Sequence, residues 1–234
     1  VLTIERDGET QDYTIERATI KIDTAKGTML EDGMGYIRIA SFSENTGKEF
    51  KAAYESLEQQ GMKGLIIDLR NNSGGMLTAS EKLAARFTNK EICVGYMQHK
   101  TGPGHNDFSD MVEQRLKPST GLRWQKRVVV LTNRAVYSAA NEFVKYMKCC
   151  PGVTIVGDKT GGGAGMPYSS ELPIGWSVRF SACPMYDTDK QSTEFGIEPD
   201  YYVSLNQADV LQGKDTIIEY ARRLLNNGTA TDNK

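Results

Sequence analysis

The run Val128-Val129-Val130-Leu131, followed closely by Tyr137-Ser138-Ala139-Ala140-Asn141-Glu142, constrains the fold of this chain more than any other stretch. Consecutive apolar residues rich in β-branching read as a strand buried on both faces, which requires helices to cover the sheet. Beyond it, Ala139, Ala140, Phe143, Val144 and Met147 recur at helical spacing and predict a helix running to about Lys148. Ser138 therefore falls at the mouth of a helix. Unpaired N–H groups and the positive end of the helix dipole at such a mouth can stabilise an alkoxide or an oxyanion. The same position also suits a serine that merely caps the helix.

A second unit repeats the pattern. Gly64-Leu65-Ile66-Ile67-Asp68-Leu69-Arg70 reads as a buried strand, Asn71-Asn72-Ser73-Gly74-Gly75 as a turn, and Leu77 to Phe87 as a helix. Paired glycines let the backbone turn sharply and present bare N–H groups to a ligand. No Gly-Lys-Ser/Thr follows, so the turn is not a phosphate loop. Alternation predicts further strands at Gly35–Phe42 and Trp176–Phe180, and helical spacing predicts helices over Thr46–Gln60, halted by Gly61, and over Asp209–Leu225. Val1–Ile4 and Tyr13–Glu16 flank a turn at Arg6-Asp7-Gly8-Glu9 and read as a hairpin. Strand, turn and helix in alternation make this an α/β chain, with ligands expected at the carboxyl ends of the strands.

Four segments in order carry a resemblance: Asp68-Leu69-Arg70-Asn71-Asn72-Ser73-Gly74-Gly75; Thr132 to Glu142; Gly157-Asp158-Lys159-Thr160-Gly161-Gly162-Gly163; and Gly196-Ile197-Glu198-Pro199-Asp200. From about Gly35 to Val203 the chain resembles the tail-specific, or C-terminal processing, serine peptidases and their tricorn-like relatives. The resemblance implies a crotonase/ClpP-like spiralled β-sheet core with flanking helices. It also implies Ser138 as nucleophile and an oxyanion hole formed by the N–H of Gly74 or Gly75 together with that of Ala139. The C-terminal processing branch draws its base from a Gly-Lys-Gly turn, whereas the matching turn here reads Gly161-Gly162-Gly163-Ala164-Gly165, and Lys159 comes too early. The glycine-rich turn looks more like the tricorn and retinoid-binding-protein branch. There a histidine N-terminal to the core is the base and a late acidic residue, here Glu194, orients it. His99 and His105 flank the loop Lys100-Thr101-Gly102-Pro103-Gly104, and either ring acts as a base only if that loop folds over Ser138.

The N-terminal hairpin resembles the closing strands of the PDZ-like domain that precedes the core in this family. Residues 1–22 are accordingly expected to be its remnant, 23–225 the peptidase core and 226–234 a disordered polar tail. Without an initiator Met, the chain reads as a trimmed piece whose upstream region holds the base. With 28 Lys and Arg against 30 Asp and Glu, a net charge of −2 offers no basic footprint for nucleic acid. No apolar run approaches the roughly 18 residues of a membrane helix. Cys93, Cys149, Cys150 and Cys183 lack metal-ligand spacing and read as separate thiols, and no metal or organic cofactor is indicated. The resemblance places the protein outside the cytoplasm, in a bacterial periplasm or envelope. Its substrate would be an unstructured peptide or protein tail cleaved through an acyl-enzyme on Ser138. Two alternatives remain at this point: a non-catalytic binder of peptides or hydrophobic ligands, and a crotonase-type acyl-transfer enzyme.

Overall fold

A computed structural model describes residues 1–227 apart from residues 19, 21, 122 and 125. The expected polar tail therefore lies outside the described residues from 228 onward. At the centre is a six-stranded sheet in the order β13 (Tyr201–Tyr202), β9 (Val153–Gly157), β8 (Val128–Thr132), β5 (Leu65–Asp68), β4 (Gly35–Ile39) and β3 (Ala25–Met29). All neighbours are parallel except β3 and β4, which form an antiparallel pair. β5 and β8, the strands read as doubly buried, are the two central strands, with every residue buried.

Strand alternation distributes the core over two faces. Ile37, Ile39, Leu65, Ile67, Val128, Val130 and Ile155 share one cluster with Phe50, Leu57, Leu83, Phe143 and Val144. That face is covered by α1 (Thr46–Gln59), α2 (Leu77–Ala84) and α3 (Ala139–Lys148). Ile66, Val129, Leu131 and Val156 point the other way, onto Ile217 and Ala221 of α5 (Thr216–Asn226). The architecture is thus the expected α/β type.

The C-terminal helix differs from its expectation. Instead of one helix over Asp209–Leu225 there are two, α4 (Gln207–Leu211) and α5, broken at Gly213, whose φ is 71°. Asp215 caps α5 by accepting from the N–H groups of Ile217 and Ile218, and its other oxygen lies 2.8 Å from Arg70. Arg70 in turn pairs with Asp68 at 2.7 Å, which also accepts the Tyr36 hydroxyl. Burial and the Asp68 carboxylate push that hydroxyl up to about 12. Periodicity misses the break because the apolar residues of both helices keep compatible spacing, while the cap is a local preference of aspartate.

Three smaller sheets surround the core. β6 (Ile92–Met97), β7 (Val112–Leu116) and β12 (Met185–Tyr186) form an antiparallel layer. β10 (Tyr168–Glu171) pairs with β11 (Ser177–Phe180). At the N-terminus β1 (Leu2–Arg6) pairs with β2 (Glu9–Tyr13) through Asp7 and Gly8, both at positive φ, the primed turn that suits a hairpin. All four cysteines are free, and burial pushes the Cys149 thiol up to about 11 and Cys150 to about 12. Among the described residues no helix is long and apolar enough to cross a membrane.

Every described residue from 1 to 23 is exposed. A hairpin that buries nothing cannot stabilise the sheet. Removal of residues 1–22 should therefore leave the unfolding free energy of the core, read from urea titration, within about 0.5 kcal/mol of the parent, the range of surface changes. A larger loss would show that this segment packs on the core.

Candidate active site

Two strand-to-helix turns meet beyond the carboxyl ends of β5 and β8. The first is organised by Asn72, which is fully buried. Its Nδ2 donates to the Ile39 carbonyl (2.9 Å), its Oδ1 accepts from the Gly74 N–H (2.8 Å), and its own carbonyl accepts from the Tyr137 N–H (3.0 Å). Phe42 completes the turn, donating to the Gly74 carbonyl and accepting from the Met76 N–H, each at 2.8 Å.

This turn presses directly on the serine. A Cβ added to Gly74 would lie 2.8 Å from the Ser138 Cβ and 2.9 Å from the Ala139 nitrogen. One added to Gly75, where φ is 131°, would collide with the Phe42 carbonyl oxygen. Glycine is required at both positions because three chain segments approach closer than any side chain allows.

Ser138 precedes α3 with φ 55° and ψ −126°, a conformation that costs a non-glycine residue of order 1–3 kcal/mol. It is half-buried, and its own N–H donates to the Gly162 carbonyl at 2.8 Å. Its side chain makes no capping hydrogen bond to α3. The capping alternative is thereby corrected: the hydroxyl does not satisfy the helix N–H groups as a cap would. Beside it, the N–H groups of Gly75 and Ala139 have no acceptor among the described residues, whereas the Gly74 N–H is engaged by Asn72.

The glycine-rich turn lies on the far side. Gly162 forms a parallel bridge with Tyr137, and a Cβ at Gly162, φ 85°, would collide with the Glu194 carbonyl oxygen. A lysine cannot occupy that position without rebuilding the turn. Glu194 is held there by its backbone, its carbonyl accepting from the Gly163 N–H at 2.9 Å. Its half-buried carboxylate accepts from the Ser181 hydroxyl, at 3.0 Å to one oxygen and 3.2 Å to the other. A buried network ties this loop to α3. Thr160 donates to Asn141 Oδ1 (2.6 Å) and accepts the Ile197 N–H (2.7 Å), while Asn141 Nδ2 donates to the Thr193 carbonyl (3.4 Å).

Gly75, Tyr137, Ser138, Arg179, Ser181 and Glu194 line a single cleft of about 460 Å³. Among the described residues its walls contain neither histidine nor lysine. His99 Nδ1 sits 3.3 Å from the Cys183 sulfur, His105 is on an exposed loop, and Lys159 Nζ is 2.9 Å from Glu198. Asn72, Asn141, Ser181 and Arg179 were not singled out from sequence. Nothing local marks a polar residue as buried or as facing a cleft assembled from distant segments. Asn72→Ala should cost about 1–3 kcal/mol for each group it leaves unpaired, the Gly74 N–H and the Ile39 carbonyl, read from urea unfolding. A shift below about 0.5 kcal/mol would mean that the turn does not depend on this side chain.

Known proteins are similar to this chain in sequence and in fold. A provisionally assigned peptidase from Parabacteroides merdae, known by crystal structure, superposes with a TM-score of 0.82 at 46% identity, covering 90% of this chain and 68% of that one. The carboxy-terminal processing protease CtpA of Bacillus subtilis is 29% identical over 178 residues, 76% of this chain and 36% of its own. The carboxyl-terminal-processing protease of Synechocystis is 28% identical over 234 residues, 96% of this chain and 52% of its own. The chain thus spans about a third to a half of the length of these two curated relatives. Residues 33–203 match the model of peptidase family S41, and the chain belongs to that family.

Proposed function

We propose that this chain carries the catalytic core of a serine endopeptidase that cleaves unstructured peptides or protein tails through an acyl-enzyme on Ser138. The observation that supports this most directly is the strained Ser138 in a cleft beside two unengaged N–H groups, those of Gly75 and Ala139. Attack of the Ser138 hydroxyl on a scissile carbonyl forms the C–O bond and moves charge onto the carbonyl oxygen, where the two N–H groups and the α3 dipole stabilise it. Gly74 supports the turn and leaves the second donor role to Gly75. In mutational series one such donor is worth about 10²–10³ in turnover.

The serine proton needs a base, and the cleft walls supply none. We assign that role to a histidine outside residues 1–234, oriented by Glu194, whose carboxylate already faces the cleft beside Ser181. Residues 1–22 are assigned to a PDZ-like domain and 23–225 to the core. The same proposal places the protein outside the cytoplasm, as the resemblance to the tail-specific peptidases implies. Co-fractionation with cytoplasmic markers would contradict that placement.

Ser138→Ala separates the readings. Since the hydroxyl makes no capping bond, the unfolding free energy should change by less than about 0.5 kcal/mol. Hydrolysis by the full-length protein, and labelling by a fluorophosphonate, should fall by several orders of magnitude. Wild-type turnover in the Ala variant would refute the assignment of Ser138. A full-length protein that binds peptides but never cleaves them would favour the non-catalytic binder.

Glu194→Gln keeps an acceptor for Ser181 but removes the charge that orients an imidazolium. Turnover of the full-length protein should drop by about 10²-fold or more with stability unchanged, because such a carboxylate acts through tautomer and orientation. Undiminished turnover would leave Glu194 a structural loop residue.

A further inference from the structure

The cleft contains a cation that the reaction just derived does not use. Arg179 belongs to β11, opposite Ser169 of β10, on a hairpin closed by the Leu172–Trp176 turn. Arg70, Arg115, Arg134 and Arg222 each hold a carboxylate within 3.1 Å. Arg179 also lines a wall shared with a carboxylate, that of Glu194, yet its exposed guanidinium forms no ion pair or side-chain hydrogen bond among the described residues. Glu194 is turned instead to the Ser181 hydroxyl. The guanidinium is left as an unneutralised positive charge on the cleft wall, with the aromatic rings of Tyr137 and Phe180 among its neighbours in the lining.

We infer that Arg179 is a specificity-determining residue that receives a carboxylate of the substrate peptide. The inference rests on the reading of this cleft as a peptide site. A planar guanidinium presents paired donors that match a carboxylate bidentately, and no other side chain in the cleft wall offers that. The α3 N-terminus adds positive potential on the same side. Glu194 repels a second carboxylate, so an acidic group is directed toward the hairpin and away from the residue that orients the base. Substrate discrimination therefore arises from a charge on the β10–β11 hairpin, while the chemistry stays on the sheet.

The carboxylate has two sources, an Asp or Glu side chain near the scissile bond or the free C-terminus of a short tail. Binding to the 234-residue chain carrying Ser138→Ala distinguishes them without any hydrolysis. The probes are an unstructured Ala-Ser peptide with a free C-terminus, its C-terminal amide, and amides bearing one internal Glu or Gln. Fluorescence anisotropy should show about tenfold tighter binding of one acidic member over its neutral partner, declining with added salt. The acid–amide pair reports a terminal carboxylate and the Glu–Gln pair a side chain. Arg179→Gln should abolish that preference and leave the neutral peptides within about twofold, a coupling that a double-mutant cycle isolates. Arg179→Lys should restore part of it. Equal binding of acidic and neutral peptides, equal weakening of all probes by Arg179→Gln, or no binding of any probe would each overturn the inference. Fluorophosphonate labelling of unmutated Ser138, measured separately, reports on the peptidase reading itself.

Discussion

The close approach of three backbone segments around Ser138 is the constraint on which the rest of the site depends. The turn after β5, the start of α3 and the glycine turn before Glu194 are joined by main-chain hydrogen bonds, Tyr137 N–H to Asn72 and Ser138 N–H to Gly162. Here the segments approach so closely that a Cβ at the contact would collide with a neighbouring main chain, so the contact positions must lack one. Gly74, Gly75 and Gly162 meet the condition, and the strain at Ser138 is sustained by the surrounding hydrogen bonds. A hydroxyl and two N–H donors are thereby fixed by rigid main chain before any substrate arrives, the arrangement that makes electrostatic stabilisation effective.

Behind this surface buried polar groups tie distant segments together, although Glu142 Oε1 has no hydrogen-bond partner among the described residues. Asn72 and Asn141 each tie segments far apart in sequence, and each is fully buried. α3 is held further along by Lys145 and Glu142, buried and 2.7 Å apart, with Lys145 also donating to Gln114 of β7 at 2.7 Å. Such pairs contribute little net stability against apolar packing, but breaking one is costly. They tie α3 to β7. The absence of lysine from the glycine turn belongs to the same geometry, since the space a side chain would need at Gly162 is filled by the Glu194 main chain.

The fold was legible in the sequence wherever one periodicity dominated. Val128–Leu131 and Leu65–Ile67 are continuous apolar runs, and both lie in central strands; the apolar stripe of Ala139–Met147 lies on α3. Legibility ended where a local preference overrode the period, as at Gly213 and Asp215, which split the expected C-terminal helix. Ser138, Gly75 and Glu194 were legible as a group through ordered motifs, and they do share one cleft. The sequence left the choice between Gly74 and Gly75 open, because which N–H stays free depends on where the Asn72 side chain reaches.

What the sequence by itself determined is therefore the α/β layering and the two strand–turn–helix units, since each follows from spacing along the chain, whereas Ser138, Gly75 and Glu194 were grouped only through the family resemblance. Only the tertiary structure decided that Ser138 is strained and does not cap its helix. It also decided that Gly75 and not Gly74 keeps an unengaged N–H among the described residues, and that Arg179 lines the same cleft as Glu194 without pairing with it. Those properties depend on contacts between segments tens of residues apart, and neither periodicity nor a motif encodes the distance between two such segments until the sheet has brought them together.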